Sequence, residues 1–146
     1  MHRAWSVCLG TAVVYVMSFA LVSAKAAQQP ASNPNGWSLP PNADQEKNPF
    51  AGDPKAIATG KELFMKHCKR CHGPGGLGDG PDAEPDAQQD MDLTVAKRAA
   101  RNPDGVVFYK MWNGRKKPKM PAVKDDLTKE QAWQIVTFVQ TMRRTS

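Results

Sequence analysis

The run Cys68-Lys69-Arg70-Cys71-His72 constrains this chain more than any other feature of its sequence. Two thiols separated by two residues and followed at once by an imidazole match C-x-x-C-H, the attachment pattern of a c-type haem. The two cysteines can form thioether bonds to the two vinyl groups of one porphyrin, and the histidine can then bind the iron as the proximal ligand. The motif therefore predicts one covalently bound haem c, held by Cys68, Cys71 and His72.

Two other kinds of site use closely spaced cysteines. A thioredoxin-like redox pair lies next to a βαβ pattern, and no such pattern is visible here. A zinc site needs further Cys or His ligands at finger-like spacing, but after Cys71 the only histidine is His72. Two unrelated thiols beside a histidine remain as the simplest alternative to a haem site.

The N-terminal segment is typical of an exported protein. A basic start is followed by 21 residues without a charge, from 4 to 24, and by small residues at 22–26. This pattern predicts a secretory signal peptide over residues 1–26, with an uncleaved membrane anchor as the alternative, since 21 uncharged residues can just span a bilayer. In both cases the folded part lies outside the cytoplasm, in the periplasm of a bacterium, and is tethered to the membrane only if the segment is retained. Cys8 is predicted to be lost with it, and because Cys68 and Cys71 are both expected to be used for thioethers, no structural disulfide is predicted in the mature chain.

Residues 27–52 are rich in Pro, Asn and Gln and show neither a helical nor a strand period. They are predicted to form a linker with little core of its own, in which Trp37, Leu39 and Phe50 either pack on the domain surface or belong to a disordered tether. The domain itself is assigned to residues 53–146. Loss of residues 1–26 would lower the formal charge from +6 to +4 by removing Arg3 and Lys25. A modest positive charge favours an acidic protein partner over nucleic acid for an exported haem protein.

Three helices are predicted, and no strand pattern accompanies them. The first begins at Asp53-Pro54, an N-cap followed by a proline at the first helical position, and runs into the haem motif. The second begins in the same way at Asn102-Pro103 and ends at Asn113-Gly114. The last opens with a capping box formed by Thr128 and Gln131. The fold class is therefore all-α.

Two loops separate the haem motif from the second helix. Residues 73–80 are glycine-rich and can wrap closely beside a flat cofactor. Acidic residues then accumulate from Asp79 to Asp92. A calcium loop is excluded because its positions 3 and 5, counted from Asp79, are Pro81 and Ala83. A solvated acidic loop is predicted instead.

The sixth ligand of the iron has two candidates. His67 lies next to Cys68 on the same helix and cannot reach the opposite face of the ring, so it is interpreted as a surface residue. Met120 lies in a proline-flanked loop 48 residues after His72, which is long enough to arch over the far face. Met120 is the predicted ligand and Met91 is the main alternative, with His/Met ligation a known arrangement in cytochromes c.

Taken together, these features resemble a class I mono-haem c-type cytochrome of the bacterial, exported kind. The resemblance covers residues 53–146 and rests on the following positions: Gly60 and Phe64 before the haem motif, residues 76–81, Asp92-Leu93-Thr94, Asn113-Gly114, Met120-Pro121 and the last helix over 133–142. It implies a cytochrome c fold with the haem in its core, in which the first and last helices cross at Gly60 and Phe64 against Ile135 and Phe138. It also implies that a proline carbonyl, of Pro81 or Pro85, orients His72, and that Trp112, Asn113 and Arg115 are candidates to contact the haem propionates.

These observations predict a single-electron carrier and not an enzyme. Electron transfer requires no bound substrate and no general base, and no catalytic pair is visible in the sequence. The redox partners implied are a quinoprotein dehydrogenase and a cytochrome oxidase. The hint of the dehydrogenase comes from residues 48–54, which are similar to cytochromes found beside quinoprotein alcohol dehydrogenases. A basic ring is predicted to attract an acidic partner, formed by Lys69, Arg70, Arg115, Lys116, Lys117 and Lys119. The alternative is a haem enzyme with an open sixth position, or a haem subunit of a membrane-anchored oxidoreductase complex.

Overall fold

The computed structural model describes residues 31–32 and 36–143. The predicted signal segment and Cys8 lie outside the described residues. The helices are α1 (Pro54–His67), α2 (Lys69–His72), α3 (Gln88–Met91), α4 (Ala96–Ala100), α5 (Asp104–Asn113) and α6 (Lys129–Met142). Two short strands, β1 (Ala31–Ser32) and β2 (Ser38–Leu39), pair in antiparallel fashion, and 3-10 helices cover Ala43–Gln45 and Pro85–Ala87. No helix within these ranges has both the length and the apolar character that crossing a membrane requires.

The packing of α1 against α6 is the framework of the fold, as predicted. At Gly60 the two backbones approach so closely that a Cβ atom would overlap the carbonyl oxygen of Gln134 and would lie 3.1 Å from the Cβ of Phe138. One turn further along α1, the rings of Phe64 and Phe138 meet edge to face with centroids 5.4 Å apart. The predicted crossing at Gly60 and Phe64 is therefore confirmed, with Ile135 in the same buried cluster.

The N-terminal caps that the sequence predicts for α1 and α6 are confirmed. The Asp53 side chain accepts hydrogen bonds from the backbone N–H groups of Lys55 (2.8 Å) and Ala56 (3.4 Å). At α6 both halves of the capping box form, because Gln131 N–H donates to Thr128 Oγ1 and Thr128 N–H donates to Gln131 Oε1. Each cap satisfies backbone donors that have no partner within the helix.

Helix α5 begins one residue later than predicted, at Asp104, and Pro103 occupies the cap position without a side-chain cap. Asn102 does not cap the helix. Its amide nitrogen instead donates to the carbonyl of Arg98 at 2.6 Å, and its amide oxygen accepts from Lys110 Nζ. The predicted end at Asn113-Gly114 is confirmed, and Gly114 has a φ of +63°, a conformation that glycine adopts at low cost.

Residues 36–52 are packed more closely than their composition indicates. Trp37 is 8 % exposed, Ala43 4 % and Asn48 9 %. The Asn48 side chain donates to the Thr137 hydroxyl of α6 at 3.0 Å, in a buried position. This segment therefore belongs to the packed structure, and of the two alternatives given for Trp37 the structure shows packing on the domain.

The acidic stretch is not loop throughout, because the 3-10 helix Pro85–Ala87 and α3 lie within it. Most of its carboxylates are exposed, as a solvated acidic segment predicts. An isolated bridge between Leu77 and Asp92 joins its end to the glycine-rich loop. That bridge places the end of the acidic stretch next to the haem-attachment motif.

Candidate haem site

The two cysteines and the histidine of the motif lie on consecutive tight turns. Cys68 closes α1 with its N–H donating to the carbonyl of Phe64 at 2.8 Å. The Cys68 carbonyl then accepts from the N–H groups of Cys71 (3.2 Å) and His72 (3.0 Å), which makes α2 a single turn. Both thiols are half-buried and are not joined in a disulfide. The turn thus keeps the two cysteines and His72 close together along the backbone, with Cys71 Sγ donating to the Asp82 carbonyl at 3.7 Å.

The environment of Cys68 suits a neutral sulfur. Burial, and to a lesser degree the neighbouring Cys71, raises the pKa of the Cys68 thiol to about 12. A low-dielectric site disfavours a thiolate, whereas a thioether carries no charge and meets no such penalty.

His72 is held by a backbone carbonyl. Its Nδ1 lies 2.7 Å from the carbonyl oxygen of Met91, and donation along this hydrogen bond leaves Nε2 as the free ring nitrogen. Burial lowers the pKa of His72, although the bond to Met91 opposes the shift. The imidazole is therefore kept neutral and oriented, which is the form that binds iron.

The prediction that Pro81 or Pro85 supplies this carbonyl is wrong. Residues 80–82 fold back on the motif, where Gly80 N–H donates to Cys71 O (3.3 Å) and Asp82 N–H donates to Arg70 O (2.7 Å). Pro81 therefore lies beside the cysteine end of the turn, and Pro85 is exposed.

Met91 reaches His72 because of the bridge to the glycine-rich loop. Gly78 N–H donates to the carbonyl of His72 at 2.8 Å, and Leu93 N–H donates to the carbonyl of Gly76 at 2.7 Å. A Cβ at Gly78 would lie 3.2 Å from the Met91 carbonyl carbon and closer still to the Gln88 carbonyl oxygen, so this approach requires glycine. These backbone contacts therefore place the Met91 carbonyl next to Nδ1 of the imidazole.

A cavity of about 820 Å³ opens beside the motif. Cys68, His72 and Met120 all line it, with Phe64 and Met111 among its apolar walls. Its volume is within the range of roughly 300–1,000 Å³ typical of ligand pockets. The neutral imidazole, the two thiols on one turn and the apolar walls fit a haem group. Among the described residues, no group of three or more His, Cys, Asp or Glu side chains forms an alternative metal site.

Met120 lies in a loop fixed by backbone hydrogen bonds. Arg115 and Met120 form an isolated bridge, with N–H to O distances of 2.9 and 3.0 Å in the two directions. Gly114 precedes this loop, and a Cβ there would lie 2.5 Å from the Met120 carbonyl oxygen. The half-buried Met120 is thus held at the cavity wall by its backbone.

Other candidates from the sequence lie elsewhere. His67 is exposed, as predicted. Trp112 stacks on Phe108, with centroids 5.5 Å apart, and the Asn113 amide donates to the carbonyl of Ser38 at 2.8 Å. Of the three residues suggested for propionate contacts, Arg115 is the one that lines the cavity.

Arg115 is not part of an exposed basic ring. Its side chain is only 10 % exposed, lies 3.7 Å from Asp90 and donates from Nε to the carbonyl of Pro118 at 3.0 Å. The other five members of the predicted ring are exposed, namely Lys69, Arg70, Lys116, Lys117 and Lys119. The prediction was wrong for Arg115 because the bridge to Met120 turns this residue inward.

Sequence reasoning missed one end of the cavity. Trp37, Arg98 and Lys110 line it together with Arg115 and Asp90. A lone tryptophan in a polar, Pro-rich segment was the available signal for Trp37. Arg98 and Lys110 carry no local pattern that distinguishes them from surface residues.

The family model described as Cytochrome c matches residues 57–143, more than half of the chain, so the chain belongs to the cytochrome c family. The domain accordingly binds haem c covalently, and domains of this family are typically electron carriers. The crossing helices, the C-x-x-C-H turn and the cavity agree with this membership.

Solved structures with the same fold include cytochrome cL from the marine methylotrophic bacterium Methylophaga aminisulfidivorans, at 24% identity and a TM-score of 0.53. Another is a reducing HAO-like protein complex of Kuenenia stuttgartiensis, at 22% identity and a TM-score of 0.54. The match to the first covers 65% of this chain and 60% of the other, and the match to the second covers 66% and 47%. The chain therefore spans about three fifths and about half of the lengths of these two chains. A comparison with curated proteins finds no significant match.

Proposed function

We propose that this protein is an exported single-electron carrier whose haem c is joined to Cys68 and Cys71 and ligated by His72 and Met120. The observation that carries the proposal is that Cys68, His72 and Met120 line one cavity. Haem c supplies the one-electron chemistry by cycling its iron between Fe(III) and Fe(II). The chain itself contributes the neutral imidazole, the sulfur ligand and apolar walls that keep water from the iron.

The position of Met91 supports Met120 as the sixth ligand. The Met91 carbonyl accepts from Nδ1 of His72, which leaves Nε2 as the nitrogen that would bind the iron. With haem bound at His72, Met91 would lie on the side of the imidazole, and its side chain would be poorly placed to serve as the ligand on the opposite face. A methionine sulfur in place of a second histidine raises the reduction potential, since it favours Fe(II).

The test compares two methionine variants of the purified holoprotein. Met120→Ala should abolish the weak far-red sulfur-to-iron absorption band and lower the midpoint potential, because water or no ligand replaces the sulfur. Met91→Ala is the matched control and should keep both properties, since position 91 contributes only its backbone. Loss of the band in Met91→Ala instead would transfer the ligand role to Met91. A wild-type protein without the band, with a high-spin spectrum and ready binding of external ligands, would favour the haem-enzyme alternative.

The proposed partners are redox proteins, a quinoprotein dehydrogenase as donor and a cytochrome oxidase as acceptor. The sequence 48–54 supports the donor, and the exposed Lys116, Lys117 and Lys119 support an acidic docking face. Weak redox encounters bury less than about 1,200 Å² and depend on long-range charge for their rate.

Export is proposed from residues 1–26, in agreement with the extracytoplasmic location typical of bacterial c-type cytochromes. The mass of the mature holoprotein tests cleavage, because a mass that includes residues 1–24 would contradict it.

A further inference from the structure

Cations outnumber carboxylates at the end of the cavity that sequence reasoning missed. Arg98, Lys110 and Arg115 line this end, and Asp90 is the one carboxylate among the described lining residues. Asp90 is shared, since it lies 3.1 Å from Arg98 and 3.7 Å from Arg115. Lys110 contacts only the neutral amide oxygen of Asn102 among the hydrogen bonds of the described residues.

This excess of positive charge affects the pKa of Lys110. Burial lowers the pKa of Lys110, and the nearby charges of Arg115 and Arg98 lower it further, while Asp90 opposes them. Buried charges are stable in proteins when an opposite charge pairs with them. The end of the cavity therefore has room and charge for an additional anion, and haem carries two propionate carboxylates.

Trp37 holds two of these cations. The Cζ of Arg115 lies 4.3 Å from the Trp37 ring centroid and Lys110 Nζ lies 5.2 Å from it, both within the distance of a cation–π contact. Trp37 is 8 % exposed and itself lines the cavity. It comes from a segment that precedes the family match over residues 57–143.

That segment, residues 36–48, is fastened to the helical core at three points. The Asn113 amide donates to Ser38 O (2.8 Å), the Tyr109 hydroxyl donates to Glu46 (2.6 Å), and Asn48 donates to Thr137 (3.0 Å). Gly105 of α5 permits close passage, because a Cβ there would overlap the carbonyl oxygen of Ala43. The segment therefore behaves as a fixed wall and not as a loose tail.

We propose that residues 36–48 form the wall that closes the propionate end of the haem cavity, and that Trp37 acts as a positioning residue that holds Arg115 and Lys110 on the haem carboxylates. The inference rests on the proposed haem attachment at Cys68, Cys71 and His72. Cations held at the haem edge favour Fe(II), which has one positive charge fewer than Fe(III), and exclusion of water acts in the same direction. The wall thus raises the reduction potential.

The experiment measures midpoint potentials of the holoprotein. Trp37→Leu keeps apolar volume but removes the ring face, and it should lower the potential. Trp37→Phe retains an aromatic face and should stay near the wild-type value. Arg115→Gln should also lower the potential, whereas Lys47→Gln removes the same charge from an exposed site in the same segment and should shift it far less.

The double variant decides whether Trp37 acts through Arg115. If it does, Arg115→Gln should shift the potential by a clearly smaller amount in the Trp37→Leu background than in the wild type. Equal shifts in both backgrounds, or a Trp37→Leu potential equal to that of the wild type, would overturn the inference. The far-red sulfur-to-iron band is recorded for every variant. If wild type itself lacks the band, His/Met ligation fails; if the band is present and the potentials do not move, the wall proposal alone fails.

Discussion

The Tyr109 hydroxyl donates to the Glu46 carboxylate at 2.6 Å and so links α5 to the segment that carries Trp37. This hydrogen bond raises the pKa of Tyr109 to about 12, with burial and the charge of Glu46 acting in the same direction. Each of these three effects disfavours the phenolate. The folded state therefore keeps the hydroxyl neutral to a higher pH than the unfolded chain does.

Titration of Tyr109 should reveal this link. The ordinary pKa of tyrosine is 10.0, so the stabilising contribution of the neutral form is complete below pH 10.0 and is lost as the pH rises through about 12. Glu46→Gln should move the pKa of Tyr109 down toward its ordinary value. NMR of a labelled tyrosine ring carbon measures the titration, since Tyr109 is the only tyrosine in residues 27–146.

Asp44→Asn is the matched control, because it removes the same charge from an exposed position two residues away and should leave the pKa of Tyr109 nearly unchanged. An unchanged pKa in Glu46→Gln would contradict the assignment of the shift to that carboxylate.

At the scale of single residues, the sequence predicts the site residues that are close neighbours in the chain. Cys68, Cys71 and His72 follow from a five-residue motif, because thioether and iron chemistry requires those side chains at that spacing. The partner of His72 could not be predicted in the same way, since a backbone carbonyl has no residue-specific signal. Arg115 was misplaced for a related reason: its inward direction depends on the bridge with Met120, which its charge does not indicate.

At the scale of the elements, the packing of α1 against α6 depends on one close contact, at Gly60. Gly60 lets the carbonyl of Gln134 and the Cβ of Phe138 approach its Cα, and Phe64 continues the contact along α1. A glycine within a helix costs about 1 kcal/mol relative to alanine. Close backbone packing over a buried cluster offsets this cost.

Gly60→Ala should therefore destabilise the protein although alanine is the better helix former. Overpacking a tight contact typically costs about 1–3 kcal/mol, and here the obstacle is a backbone carbonyl that cannot rotate away. We expect a net loss in the free energy of unfolding at about this level, measured by denaturant unfolding of the holoprotein.

Gly75→Ala serves as the control, because a Cβ there meets only the Leu77 side chain at 3.8 Å and should change stability little. A Gly60→Ala variant as stable as the wild type would show that α6 moves away without cost.

Helix starts that are capped by nearby side chains were predictable from the sequence. Segments that are positioned by contacts with residues far along the chain were not. Asp53 and the Thr128–Gln131 box define helix starts through local hydrogen bonds, which the sequence contains in full. Asn102 has the same local appearance but turns to Arg98 and Lys110 instead. The packing of residues 36–48 depends on partners 63 to 89 residues away, at Tyr109, Asn113 and Thr137, so composition alone indicated a linker.

For the molecule as a whole, the position of the charges matters more than their sum. Arg98, Lys110 and Arg115 line the cavity, and under the wall proposal they act on the haem potential. Lys116, Lys117 and Lys119 are exposed beside the Met120 loop, and Lys117 also lines the cavity. The inward cations are suited to setting the potential and the outward ones to docking. The basic run over residues 115–119 would thus contribute to both proposed roles, through Arg115 and through the lysines that follow it.

Electron transfer to an acidic redox partner should slow as ionic strength rises, because charges separated by more than about 10 Å are largely screened at 0.1 M salt. Neutralising the docking lysines (Lys116, Lys117 and Lys119) to glutamine should reduce the bimolecular rate constant at low salt, on the order of tenfold or more, and flatten its salt dependence. Stopped-flow kinetics measures both.

A matched triple variant on the exposed side of α1 tests whether position matters, using Lys55, Lys61 and Lys66. It removes the same charge and should have a much smaller effect. If the rate constant of electron transfer in the wild type does not vary with salt, electrostatic steering of the encounter is ruled out.

The carbonyl of Met91 that holds His72 belongs to the main chain, and this has a consequence for how such a protein tolerates change. Most substitutions at position 91 should be neutral for the imidazole, because any residue supplies the same acceptor. Insertions or deletions between Gly78 and Asp92 should be far more harmful, since they would shift the acceptor along the chain. Descendants of this sequence would thus vary freely in the identity of that residue while keeping the length of the segment before it.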